Sequence, residues 1–194
     1  RPLMERLAPT GIQLIEQPMA SAEYRRASDA TIPPEFNAPG EGEHPLFVQA
    51  DFGLVRQADG GLEPKLVELQ AFPSLYGFQR AFAEQYRKSW AVPDDLGVFL
   101  GGLDDLSYDT LLKKAIVGDH DPEQVVLMEI DPGHQKTRPD FTETEGRWGV
   151  RAIDITAIVK RGRTLLYPRD GTLVPIRRIY NRTILDELVR RRVT

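Results

Sequence analysis

Apolar and polar residues alternate along two runs, 47–57 and 62–72, which flank the tetrapeptide Ala-Asp-Gly-Gly at 58–61. Alternation with a period of two is typical of β-strands that bury one face. Asp-Gly between two such runs is the strongest short signal for a hairpin closed by a two-residue type I′ turn. The pattern therefore predicts a β-hairpin with Asp59-Gly60 as its loop.

That loop sets which residues of the two strands face each other. Arg56 then faces Glu63, an opposite-charge pair, and Asp51 faces Glu68. Two opposed carboxylates destabilise a hairpin unless something neutralises them. A hard divalent cation such as Mg²⁺ would do so, and a shared proton or plain exposure to water are the alternatives. The same face also carries the amides Gln49 and Gln70.

Longer segments show either helical spacing or continuous apolar runs, and together they predict an α/β fold. An apolar run at 124–130, a helical segment at 139–148 and an apolar run at 150–156 form a Rossmann-like βαβ unit, which requires a parallel sheet. The sheet is therefore expected to be mixed, with two antiparallel hairpins. The remaining expected elements are short N-terminal helices broken at Pro9 and Gly11, a loop over 31–45, helices over 74–90 and 107–118, a hairpin turning at Asp170-Gly171, and a helix from about 183.

The length of 194 residues predicts one domain, 1–194. The chain begins Arg-Pro-Leu without Met and stops inside a helical pattern, which indicates a fragment of a longer protein. A net charge of −4 provides no broad positive field for nucleic acid or an anionic membrane, and the absence of cysteine excludes thiolate chemistry. We therefore expect a cytoplasmic location.

Two further sets of residues are candidates for ligand binding. In parallel sheets, ligands bind beyond the carboxyl ends of the strands, which places His134, Lys136 and the following helix start where they could hold an anion. On the last predicted strand, Arg178, Tyr180 and Arg182 share one face and could meet an acidic ligand. An ordinary solvated loop, and arginines paired with surface acids, are the respective alternatives.

The passages QADF at 49–52 and VELQAFPS at 67–74 resemble the R-x-D-F and E-x-N-A-D strands of glutathionylspermidine synthase and related ATP-grasp ligases. In that family the Asp, Glu and Asn hold the Mg²⁺ ions of bound ATP. The resemblance therefore implies Asp51, Glu68 and Gln70 as metal ligands. This chain departs from the family pattern at three positions. Gln49 replaces an arginine that contacts phosphate or substrate, Gln70 replaces the asparagine, and Phe72 replaces the final aspartate.

More loosely, the βαβ segment resembles the substrate-side, pre-ATP-grasp domain of these enzymes. The resemblance implies the substrate-binding part of a peptide-bond-forming carboxylate–amine ligase that uses Mg²⁺ and ATP. Its partners would be a small carboxylate, a small amine and a C-terminal ATP-grasp portion. The glycine pair at 101–102 lacks a following Lys-Ser/Thr, so we expect this chain to be inactive alone. The alternative is a non-catalytic ligand-binding or scaffold domain that keeps the fold.

Overall fold

The computed structural model describes residues 2–37, 40, 42, 44–93 and 95–192. Contacts between residues divide the chain into two compact units, Arg1–Pro73 and Ser74–Thr194. The predicted α/β class is confirmed, because helices accompany both a parallel sheet and antiparallel hairpins. Among the described residues, no helix is both long and apolar enough to cross a bilayer.

The first unit consists of two helices and a hairpin. Its elements are α1 (Pro2–Ala20), α2 (Ala22–Asp29), a 3-10 turn (Pro34–Phe36), β1 (Gln49–Arg56) and β2 (Leu62–Gln70). The predicted break at Pro9 and Gly11 is wrong, since α1 runs through both. Gly11 is buried, and a Cβ there would lie 3.2 Å from Cβ of Ala50, so this glycine lets the helix approach the hairpin closely. Within the predicted loop 31–45, residues 38, 39, 41 and 43 lie outside the described residues.

The hairpin has the predicted register at its open end and a different one at its turn. Asp51 faces Glu68 as expected, but Arg56 faces Leu62 instead of Glu63. The loop has three residues, because the Gln57 N–H donates to the Gly61 carbonyl (2.8 Å), and its third residue, Gly60, has a φ of 85°.

A β-bulge restores the predicted register. The pairing shifts between Asp51 and Phe52, so that Phe52 faces Leu66 and Val67 is the extra residue. The longer loop and the bulge cancel each other. The shift also pairs Leu54 with Pro64, which places two apolar residues opposite each other.

The second unit contains two sheets. The elements are α3 (Tyr76–Ser89), α4 (Asp105–Val117), β3 (Val125–Glu129), α5 (Arg138–Trp148), β4 (Arg151–Asp154), β5 (Val159–Arg161), β6 (Thr164–Arg169), β7 (Thr172–Pro175), β8 (Arg178–Asn181) and α6 (Leu185–Arg191). The βαβ prediction is confirmed, since β3 pairs in parallel with β4. Strand β8 also pairs in parallel with β3, on its other side. The order of this parallel sheet is β4-β3-β8.

The predicted mixed sheet is wrong, because strands β5, β6 and β7 form an antiparallel sheet separate from the parallel sheet and from the β1-β2 hairpin. The predicted turn at Asp170-Gly171 is confirmed, because both residues have positive φ, 49° and 83°, as a type I′ turn requires. The second strand of this hairpin ends at Pro175, and the chain then leaves the hairpin to enter the parallel sheet as β8. The last predicted strand, which carries Arg178 and Tyr180, therefore belongs to a different sheet from the hairpin.

A buried carboxylate joins helices α3 and α5. Asp140, near the start of α5, is 1% exposed and accepts hydrogen bonds from the backbone N–H of Phe78 (2.9 Å) and Leu75 (3.3 Å). Leu75, the residue before α3, has a left-handed φ of 72°, which is strained for leucine. Asp140 therefore caps the amino terminus of a helix that lies more than sixty residues earlier in the chain.

Two glycines within helices differ in how much space surrounds them. A Cβ at Gly77 would lie 3.1 Å from Glu143 Cβ and 3.3 Å from an Asp140 carboxylate oxygen, whereas a Cβ at Gly146 would meet nothing within 4 Å. We expect Gly146→Ala to raise the free energy of unfolding by about 0.5–1 kcal/mol, and Gly77→Ala to lower it by about 1–3 kcal/mol through overpacking. Chemical denaturation of both variants tests this, and a stabilising Gly77→Ala would contradict the packing of α3 on α5.

Candidate functional site

The polar face of the first hairpin holds two carboxylates joined by an amide. The Gln70 Nε2 donates hydrogen bonds to Asp51 Oδ2 (2.9 Å) and to Glu68 Oε1 (2.6 Å). The Gln49 Nε2 donates to the other Asp51 oxygen at 2.8 Å. The structure thus brings together the four side chains predicted for this face. We call them the hairpin cluster: Gln49, Asp51, Glu68 and Gln70.

This geometry explains how the hairpin tolerates facing acids. The amide N–H donors of Gln70 lie between the carboxylates, and a hydrogen bond to an ionised acceptor is stronger than one to a neutral acceptor. The opposite face of the strands carries Ala50 and Leu69, which pack against Gly11 of α1. The hairpin cluster therefore lies on the face of the hairpin away from α1, and its Glu68 is exposed.

The side-chain oxygens of the hairpin cluster are of the type that binds a hard cation, although they are few. Two carboxylates and an amide carbonyl are oxygen ligands of the kind that Mg²⁺ takes, usually together with several waters. Gln70 would present its carbonyl only after its amide turned over, which breaks both of its present bonds. Within the described part of the chain, no three His, Cys, Asp or Glu side chains are grouped to hold a metal.

A second group of acids lies at the carboxyl edge of the parallel sheet. Glu129 ends β3 and Asp154 ends β4, and the two are partners in the register of these strands. Glu129 is 6% exposed and accepts the N–H of Ile130 at 2.8 Å. Asp154 is better supplied with donors, since it accepts from the backbone N–H of Asp131 (2.8 Å) and from both the N–H and hydroxyl of Thr156 (2.8 and 2.6 Å).

These neighbouring carboxyls have pKa values shifted in opposite directions. Burial raises the pKa of Glu129, against the opposing effects of the Ile130 N–H and the positive charge of Arg182. Burial also acts to raise the pKa of Asp154, but the hydrogen bonds from Thr156 and Asp131 outweigh it and lower the pKa. Neighbouring acids whose pKa values are shifted in opposite directions are a feature of sites that transfer protons.

Arg182 is one of the predicted ligand-binding residues at this edge of the sheet. It directly follows β8, its N–H donates to the Met128 carbonyl at 2.9 Å, and it is 8% exposed. Its charge acts to lower the pKa of Glu129 and of Asp140, both of which burial raises. Burial likewise raises the pKa of Tyr76 to about 12, against the effect of Arg182. Arg182 is therefore the cation of a buried polar region at the end of the sheet.

His134 and Lys136 lie in the loop that follows β3, as predicted. Both are exposed, and the His134 Nδ1 lies 2.8 Å from Asp131 Oδ1. Asp131 itself adopts a left-handed φ of 48°. The loop is thus at the carboxyl edge of the sheet, where the sequence placed it, with a histidine that already has an acidic partner.

Arg178 lies at the opposite end of β8 from Arg182. Its guanidinium donates to the Ala115 carbonyl in the last turn of α4 at 2.7 Å and packs over Gly118. A Cβ at Gly118 would lie 3.2 Å from Arg178 Nη1, so the glycine makes room for it. A cation at the carboxyl end of a helix stabilises its unpaired carbonyls. The structure therefore separates Arg178 from Arg182 and gives it a helix-capping contact.

Sequence reasoning missed Glu129 and Asp154 as candidates. A signal for them existed, because each is an acid at the end of a strand, at the edge where parallel sheets bind ligands.

Comparison with protein families, with curated proteins and with solved structures finds no match to this chain. The assignment of function therefore depends on the residues and their geometry.

The raised pKa of Glu129 predicts a pH dependence. The folded state holds this proton more tightly than the unfolded chain does, so ionisation of Glu129 costs stability as pH rises above its ordinary value of 4.5. We expect Glu129→Gln to be more stable than the parent at pH 7, with the difference shrinking towards pH 4. Urea denaturation across this range measures it. Asp119→Asn, which removes an exposed acid of the same unit, is the control, and a Glu129→Gln that is less stable at pH 7 would contradict the prediction.

Proposed function

We propose that this chain is the substrate-side part of a Mg²⁺- and ATP-dependent ligase that joins a carboxylate to an amine, with a pre-ATP-grasp arrangement and a cytoplasmic location. The observation that carries the proposal is the hairpin cluster, in which Asp51 and Glu68 face each other in register and share one amide donor. A hairpin gains nothing in stability from facing acids, so their placement favours a role in binding. The resemblance of both strands to the metal-ligand strands of ATP-grasp ligases supports the same role.

The proposed ligands of Mg²⁺ are Asp51, Glu68 and the Gln70 carbonyl. When bound, Mg²⁺ would supply positive charge against the phosphate oxygens of the nucleotide. Gln49 keeps Asp51 oriented through its bond to Oδ1, which leaves the second carboxylate oxygen for the bond now made by Gln70. Gln49 thus positions a ligand, and as a neutral amide it would contact phosphate or substrate more weakly than the family's arginine does.

The substrate side of the proposal concerns the carboxyl edge of the parallel sheet. Arg182 and the exposed Lys136 and His134 provide positive or protonatable groups suited to a carboxylate substrate. The contrasting carboxyls Glu129 and Asp154 are suited to holding and accepting protons, as an amine nucleophile requires. Arg178 has no part in the proposal because it is bound to α4.

Mg²⁺ binding tests the proposal through thermal stability. A ligand that binds only the folded state stabilises it by about 1.4 kcal/mol when its concentration is about ten times Kd. We expect Mg²⁺ to raise Tm of the parent, and Asp51→Asn and Glu68→Gln each to abolish the rise. Glu63→Gln, which removes the same charge from an exposed position of β2, should leave it intact. The proposal fails if all four proteins respond alike, since that result indicates a nonspecific salt effect.

Nucleotide turnover gives a second test. We expect the purified chain to release no ADP from ATP above the background of a heat-denatured sample, because its sequence lacks a glycine-rich phosphate loop followed by Lys-Ser/Thr. A coupled assay with added ADP as the positive control measures this. Mg²⁺-dependent ADP release that Asp51→Asn abolishes would show that the chain carries a complete nucleotide site.

A further inference from the structure

Helix α3 carries a continuous row of aromatic rings on its outer side. Phe78, Phe82, Tyr86 and Trp90 follow each other at four-residue spacing, and their successive ring centroids lie 5.6, 4.7 and 4.7 Å apart. Three of these side chains are largely open to solvent: Phe82 is 50% exposed, Tyr86 45% and Trp90 61%. Large aromatic residues left in water at regular spacing are unusual for a surface without a partner.

The aromatic row borders an apolar groove within the second unit. The groove has a volume of about 340 Å³ and lies between α3 and the segment that follows it. Leu96 and Val98 line it and are themselves 58% and 48% exposed. Together these side chains form one surface, which we call the α3 patch: Phe82, Tyr86, Trp90, Leu96 and Val98.

The size of the α3 patch is compatible with a small protein interface. With about 200 Å² for each large aromatic side chain, the exposed fractions of Phe82, Tyr86 and Trp90 leave about 300 Å² in water, and Leu96 and Val98 enlarge this surface. A symmetric contact counts the patch twice, which approaches the total area of about 1,000 Å² that a specific interface needs.

Three of the four charged residues of α3 lie away from the patch, and the fourth, Arg87, lines the groove. By the helical repeat, Arg80, Glu84 and Lys88 lie about 120° or more from Phe82 around the helix axis. Ion pairs neutralise Arg80, Glu84 and Arg87. Arg80 bonds Glu84 at 2.6 Å and Asp105 at 3.0 Å, and Arg87 lies 3.5 Å from Asp105. The positions beside the aromatic row are neutral: Gln79, Gln85 and Ser89.

We infer that the α3 patch is a self-association face, through which two copies of this chain pack against each other about a two-fold axis. In such an isologous contact each residue of the patch meets the same patch on the partner. A surface with unpaired charges would then oppose its own charge, whereas this surface is apolar apart from Arg87, whose charge is paired with Asp105. The aromatic rings would supply the anchors that dominate binding energy at interfaces.

Mass in solution tests this inference directly. We expect light scattering coupled to size-exclusion chromatography to give a mass that rises with concentration, from 21.9 kDa towards twice that value. Phe82→Glu and Tyr86→Glu should each hold the protein at the monomer mass, because each places two facing charges in an apolar contact. The matched control is Leu111→Glu on α4, a residue that is 51% exposed and is not part of the α3 patch.

Several outcomes would overturn the inference. The parent could stay at the monomer mass at every concentration, the Phe82→Glu protein could still dimerise, or Leu111→Glu could dissociate the dimer equally well. Tryptophan fluorescence provides a test on the unaltered chain, which has two tryptophans, Trp90 and the buried Trp148. Dilution should shift the emission to the red and increase acrylamide quenching as Trp90 returns to water. Emission that is independent of concentration would contradict burial of Trp90 in a dimer.

Discussion

Carboxylates that are crowded together or removed from bulk water require hydrogen-bond donors, and this constraint organises both units of the chain. In the first unit, a single amide nitrogen of Gln70 serves Asp51 and Glu68 at once. In the second, Asp140 is almost fully buried, and the open N–H groups at the start of α3 satisfy it and give it a structural role. The amide of Gln70 can turn, and we propose that this leaves Asp51 and Glu68 available to a ligand.

The same comparison separates the two acids at the end of the parallel sheet. Asp154 is fixed by three hydrogen bonds and its pKa is lowered, whereas Glu129 accepts the Ile130 N–H and its pKa is raised by burial. Keeping a buried acid with a raised pKa at this edge costs stability at neutral pH. Such a cost, at the edge where parallel sheets bind ligands, is what a functional site is expected to carry.

Much of this fold follows from local pattern, and the exceptions have physical causes. The βαβ unit was predictable because buried strands are largely apolar. The Asp51–Glu68 pairing was predicted from a two-residue loop, and it is correct only because two changes cancel: the loop has three residues, and the bulge at Val67 shifts the register back by one. Contacts between distant residues could not be predicted either. The sequence at 176–181 does not indicate that β8 joins the parallel sheet, or that Arg178 donates to the Ala115 carbonyl.

The central claim is that Mg²⁺ displaces the amide of Gln70 from between two carboxylates. Side-chain amide signals in a ¹⁵N–¹H NMR spectrum report this directly during a Mg²⁺ titration. The account predicts that the Gln70 NH₂ pair shifts most and Gln49 less. Gln57, which donates to Glu63 at 2.6 Å in the same hairpin, should remain unchanged. Equal shifts of Gln57 and Gln70, or no shift of Gln70 at a saturating Mg²⁺ concentration, would contradict it.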